Sequence, residues 1–179
     1  MENKELFFLV EDNATYAANV KLRVEREMGH EVLVFETGEK MLAFAESNPS
    51  KTPTLVILDF NLNSVDANAK NGAEILAILR NPSKQLQFFK KTPVIILSSE
   101  TEIAVALTLL KKGANDYIVK DDAFFDNLSK TVNTILDIRN YRNEIQLHKG
   151  KAEKFKKRLI YMALAIVALL GVTLIALFV

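Results

Sequence analysis

The chain has 179 residues, with 23 Lys and Arg against 22 Asp and Glu, and no cysteine. That length suits one domain with an appendage, and the absence of thiols excludes disulfides and thiolate metal sites. Through Gly150 there are 18 basic against 21 acidic residues, and residues 151–158 then hold five Lys or Arg and one Glu, so a mildly acidic body argues against wrapping nucleic acid.

Leu6-Phe7-Phe8-Leu9-Val10 reads as a first buried strand that closes on Glu11-Asp12-Asn13. Asn13 is placed to cap a helix, with Ala17, Val20, Leu22 and Val24 as apolar positions and Gly29 at its end. Glu31 to Phe35 is a second strand, and Lys40 to Glu46 a short helix offering Met41, Leu42 and Ala45 to a core. Pro53-Thr54-Leu55-Val56-Ile57-Leu58-Asp59 is the third strand. Its near-continuous aliphatics stop on a carboxylate, as a central parallel strand does where it reaches solvent.

A polar loop runs from Asn61 to Asn71. A helix spans Gly72 to Arg80, and Pro82 stops it. Pro93 to Leu97 is a fourth strand closing on Ser98-Ser99, either of which is placed to cap the next helix, Glu102 to Lys112. Gly113 ends that helix, and Asp116 to Val119 is a fifth strand closing on Lys120. A long helix follows from Asp122 to about His148, with Leu128, Val132 and Ile135 spaced for one face and Gly150 as a weak point beyond it. Leu159 to Val179 is uncharged, and 21 helical residues cover roughly 30 Å, the thickness of bilayer hydrocarbon. The expected organisation is a domain over 1–140, a basic helical juxtamembrane linker over 141–158 and a transmembrane helix over 159–179.

Five strands alternating with helices predict an α/β fold with a doubly wound, five-stranded parallel sheet. In the simple doubly wound order the first, third, fourth and fifth strand ends lie side by side. Three carboxylates, a hydroxyl and an amine would then share one patch: Glu11, Asp12, Asp59, Ser98 and Lys120. Clustered carboxylates suit a hard divalent cation such as Mg²⁺. An aspartate can attack phosphorus to form an acyl phosphate, while cationic groups offset charge on the transferring oxygens. Each residue also has a plain reading: the acids as a solvated helix start, the serines as caps, Lys120 as a surface lysine, Tyr117 as core. His30 and His148 stand alone and receive no role.

The ordered pieces Phe8-Leu9-Val10-Glu11-Asp12-Asn13, Leu55 to Asp59, Pro93 to Ser99 and Lys112 to Lys120 resemble the receiver domain of two-component response regulators, over about residues 5 to 140. The resemblance implies the flavodoxin-like receiver fold. It implies Asp59 as phosphoacceptor and Glu11 and Asp12 as the acidic pair for Mg²⁺. It further implies the backbone carbonyl of Asn61 as a third protein ligand, Ser98 and Lys120 as catalytic groups, and Ser98 and Tyr117 as the switch pair. Family members take the phosphoryl group from a sensor histidine kinase or a phosphotransfer protein. Any enzymatic activity would be self-phosphorylation and self-dephosphorylation. Three departures stand out: an insertion from Ser64 to Asn71 that brings Gly72 late, Ser99 in place of a smaller residue, and Asp121 where the family usually has proline.

Basic residues abutting the apolar tail orient the domain to the cytoplasm, with residues 159–179 held in membrane lipid. The expected function is a membrane-anchored receiver that signals by protein contact, with no nucleic-acid partner and with a homodimer as a further possibility. The alternative is a membrane-anchored scaffold on the same fold with little or no phosphotransfer. Turnover of a small phosphoester would mark a third reading, a free-standing phosphatase.

Overall fold

The aliphatic runs become five short parallel strands: β1 Leu6–Val10, β2 Glu31–Phe35, β3 Leu55–Asp59, β4 Val94–Ser98 and β5 Asp116–Val119. They form one sheet in the order β2-β1-β3-β4-β5, the arrangement expected from the alternating pattern. The computed structural model describes residues 4–62 and 68–177, with side chains through Met162. Two compact units divide the chain, one ending at Val132 and the other beginning at Asn133.

The helices are α1 Ala14–Arg23, α2 Gly38–Ser47, α3 Gly72–Arg80, α4 Ile103–Lys111 and α5 Phe124–Leu177. Every residue of β3 and β4 is buried, because side chains that alternate across the sheet meet helices on both faces. On one face Phe8, Val10, Val56, Leu58, Val94 and Ile96 form a core with α2, α3 and α4. Phe7, Leu9, Ile57 and Ile95 alternate to the other face, and Ala17, Val20, Phe125, Leu128 and Val132 are buried outside that first core. Arg23 of α1 stacks 3.7 Å from the ring centroid of Phe125 at the start of α5.

Local chemistry sets the helix ends. The side chains of Asn13 and Thr37 accept backbone N–H bonds from Tyr16 and Lys40, capping α1 and α2. Asn71 and Glu74 form a capping box on α3, a motif worth about 1 kcal/mol. Gly29 and Gly113 have φ of 74° and 102°, left-handed values that glycine adopts without a Cβ clash.

Several expectations are corrected. Leu22 is 53% exposed, because it stands two residues from Val20 and faces away from the Ala17–Val20–Val24 stripe. The first helix continues through a π-turn over Val24–Met28. A 3₁₀ segment, Lys84–Lys90, was not expected; it buries Leu86 and Phe89 at a spacing of three. Neither Ser98 nor Ser99 caps α4, whose N-cap is Glu102. The last helix does not end near His148 but runs unbroken through Gly150 to Leu177.

Of the expected membrane segment Leu159 to Val179, the helical backbone reaches Leu177, while the side chains beyond Met162 lie outside the described residues. Among the described residues no helix is long and apolar enough to cross a membrane.

Candidate functional site

Strand register brings the reactive residues together. Val10 pairs with Leu58, so Glu11 is level with Asp59 across the β1–β3 boundary. Asp59 pairs with Leu97, and Ser98 pairs with Val119, so Ser98 and Lys120 follow on β4 and just beyond β5. The carboxyl ends of parallel strands all open on one edge, which is where open α/β sheets collect ligands.

Lys120 is the pivot of this edge. Its Nζ lies 2.7 Å from Glu11 Oε2 and 3.0 Å from Asp59 Oδ1, joining residues 109 apart in sequence. The contact to the buried Asp59 Oδ1 is an ion pair, and Lys120 is the cation that holds the acceptor carboxylate. Glu11, Asp12, Asp59 and Ser98 are all buried. Burial pushes the carboxyl groups of both Asp59 and Glu11 above the ordinary range, although Lys120 beside them pulls each the other way.

One oxygen from each of Glu11, Asp12 and Asp59 lies within 4.8 Å of the other two. Adjacent and opposite ligands of an octahedral Mg²⁺ shell lie about 3 and 4.2 Å apart, so this set of hard oxygen donors needs at most a small inward shift to hold a divalent cation. Asn61 is exposed just past β3, and its backbone N–H donates to the Asp59 carboxylate.

Ser98 and Tyr117 meet at the backbone of a single residue, Glu100. The Glu100 N–H donates to Ser98 Oγ at 3.0 Å, and the Tyr117 hydroxyl donates to the Glu100 carbonyl at 2.8 Å. Their spacing of 19 residues gives no hint of this; it follows from β4 and β5 being neighbours.

Gly72 explains how the chain returns after the inserted loop. A Cβ there would lie 2.4 Å from the Asp59 carbonyl oxygen and 2.8 Å from Phe60 Cα. The Gly72 N–H donates to the Phe60 carbonyl at 2.9 Å, pinning the start of α3 against the exit of β3. Lys70 closes the same loop by pairing with Glu39 of α2 at 3.2 Å. Within the insertion Ser64 to Asn71, residues 64–67 lie outside the described residues. At the proline-like position, Asp121 Oδ1 accepts from the Ala123 N–H at 3.0 Å and its carbonyl from Phe124 at 3.1 Å, so this side chain serves the start of α5.

Two residues were not singled out from sequence. The Tyr16 ring lies under Lys120, 4.6 Å from Nζ to centroid, and supports the ammonium as a cation–π partner. Burial, then the charges of Glu11 and Asp59, push its phenol upward. A long side chain three residues after an N-cap points back toward the strand ends, but only the sheet brings Lys120 over it. Arg80 donates to the carbonyls of Gly113 at 2.9 and 2.7 Å, Phe89 at 3.1 Å and Thr92 at 3.2 Å. No local pattern announces that role. A groove of about 450 Å³ opens beside the acidic pair, lined by Ala14, Ala17, Ala18 and Lys21 of α1 and by Val34 and Glu36.

Known proteins resemble this chain in sequence and fold. Residues 7–133 match the family model of the response regulator receiver domain. A chemotaxis protein CheY1 of Helicobacter pylori is 29% identical over 112 residues, which cover 63% of this chain and 82% of that protein. A probable transcriptional regulator ycf27 of Pyropia yezoensis is 32% identical over 122 residues, covering 67% of this chain and 43% of the longer relative. The receiver domain of a Francisella response regulator superposes with a TM-score of 0.61 at 26% identity, covering 76% of this chain and 99% of that one. With its sheet order, acidic cluster and strand-end lysine, this chain belongs to the response regulator receiver domain family.

Proposed function

We propose that this chain accepts a phosphoryl group on Asp59 from the phosphohistidine of a sensor kinase or phosphotransfer protein, and signals the change by protein contact at a membrane. The observation that carries the chemistry is the Lys120 ammonium between Asp59 and Glu11 at 3.0 and 2.7 Å. In this reading a carboxylate oxygen of Asp59 attacks phosphorus, the P–N bond breaks, and the electron pair leaves with the imidazole. Glu11, Asp12, Asp59 and the Asn61 carbonyl would hold Mg²⁺. Bound there, the ion supplies charge neutralisation for the phosphoryl oxygens. Lys120 orients the acceptor and pairs with a phosphoryl oxygen once Asp59 carries the acyl phosphate. Ser98 then turns its hydroxyl to the phosphoryl group, which releases the Glu100 N–H and loosens the carbonyl that holds Tyr117.

The uncharged run 159–179 behind the basic residues 151–158 supports a membrane location with the receiver in the cytoplasm. The relatives span both short and longer proteins, so the downstream partner is read from neither.

Full-length chain in detergent, incubated with Mg²⁺ and a small acyl phosphate or a phosphorylated kinase, should gain the mass of one base-labile phosphoryl group. Asp59→Asn should gain none. No gain by the wild type from either donor would sink the phosphotransfer reading and favour the scaffold alternative. Location is tested separately. The full chain should sediment with membranes, and removal of residues 159–179 should release it; a wild-type chain already in the supernatant removes the membrane part alone.

A further inference from the structure

The middle of α5 carries a seven-residue repeat that the receiver chemistry does not use and that reaches the first turn of the apolar tail. Ile138, Ile145, Ala152 and Leu159 recur at every seventh position, and Tyr141, His148, Phe155 and Met162 stand three residues after each. This is the a/d pattern of a two-stranded coiled coil. The seam is open: Ile138, Tyr141, Ile145, Phe155, Leu159 and Met162 are between 45% and 66% exposed. Leu147 lies off the seam, and from Ile160 onward the apolar surface extends beyond it.

Charge identifies the occupant. The positions flanking the seam are Asp137 and Glu144 on one side and Arg142 and Lys149 on the other. In a parallel, in-register pair each acid faces the base five residues ahead on the other helix, so Asp137 meets Arg142 and Glu144 meets Lys149. Among the described residues none of these four has an ion-pair partner within its own chain. An antiparallel pair would also set Asp137 and Glu144 against Arg158 and Lys151, but it would bring the cations Arg142, Lys149 and Lys156 against one another. Further along, Lys151 would face Lys156, so the attractive charge pattern is confined to the N-terminal part of the seam.

We propose that α5 pairs in parallel and in register with α5 of a second copy of this chain, as a two-stranded coiled coil over Ile138 to Met162. A helix with a polar exterior and one apolar stripe gains most of its stability from such packing. The pairing does not depend on phosphoryl acceptance at Asp59 and is read without it.

The absence of cysteine allows a direct test on the full chain in detergent or membranes. Single cysteines at Ile145 and Ala152, on the seam, should form interchain disulfides under mild oxidation about tenfold faster than at Asn143 and Gly150, on the outer face. Charge exchange then reads direction and register. Glu144→Lys and Lys149→Glu should each slow cross-linking through Ile145→Cys, and the two together should restore it. Equal rates on seam and outer face overturn the pairing. A double exchange no better than either single change overturns the parallel register.

Discussion

The sheet unit and the helical half of α5 hold information in opposite ways. In the first, the decisive contact joins Lys120 to Glu11, 109 residues away, and neither side chain has a purpose without the strands that align them. In the second, the pattern repeats every seven residues and each turn reads like the last. The sheet unit crowds its backbone around the site, whereas α5 beyond Val132 leaves its seam exposed. The same chemical change should therefore have opposite consequences in the two regions.

Glycine makes the sharpest contrast. Gly72→Ala in the sheet unit would drive a methyl group to 2.4 Å from the Asp59 carbonyl oxygen, an atom of backbone that cannot swing aside. The cost should be about 3 kcal/mol, the upper end for overpacking. Urea unfolding should show a lower midpoint with unchanged slope, and phosphoryl uptake should fall because the exit of β3 is displaced. A midpoint within error of wild type would mean that the start of α3 yields freely, and the contrast between the regions would weaken.

Buried charge distinguishes the units less strongly. Burial raises the Asp59 and Glu11 carboxyl groups above their unfolded values, so folding favours their neutral forms. The associated stability is fully present below the ordinary carboxylate range and is lost as pH rises through the raised folded values. At pH near 7 without metal, Asp59→Asn should then be more stable than wild type by roughly 1 kcal/mol, with Lys120 still paired to Glu11. The gap should close as pH falls toward about 4, where the unfolded carboxyl group also takes up its proton. Unfolding at several pH values with a chelator present measures it. A variant less stable than wild type at neutral pH would show that the Lys120 pair outweighs the burial of Asp59.

These contrasts also explain what could be read in advance. Strand runs such as Leu55 to Asp59 and the helix Gly72–Arg80 were legible because burial on two faces and a turn of α-helix leave simple periods. The side-by-side strand ends were legible because parallel topology has few solutions. Tyr16 beneath Lys120 and the Glu100 backbone between Ser98 and Tyr117 were not, since both depend on neighbours brought in by the sheet. Leu86 and Phe89 escaped because a 3₁₀ turn has no 3.6-residue period. Gly150 misled in the other direction: it reads as a weak point beyond a helix ending near His148, although its neighbours on both sides continue the helix.

Gly150→Ala tests that last point and gives the smallest expected effect. Gly150 has ordinary helical neighbours, no left-handed φ, and open space where a Cβ would stand. It also lies on the outer face of the proposed seam, so an added methyl group touches neither the a nor the d positions. Alanine is about 1 kcal/mol better than glycine inside a helix, chiefly because the unfolded chain loses less conformational freedom. The substitution should therefore stabilise the helix where Gly72→Ala destabilises the sheet unit. Amides near residue 150 should exchange about fivefold more slowly, the ratio that corresponds to 1 kcal/mol, while the core of the sheet unit is unchanged. Faster exchange around 150 would mean that the glycine is used as a joint, and that the unbroken helix does not describe how this half of the chain behaves in solution.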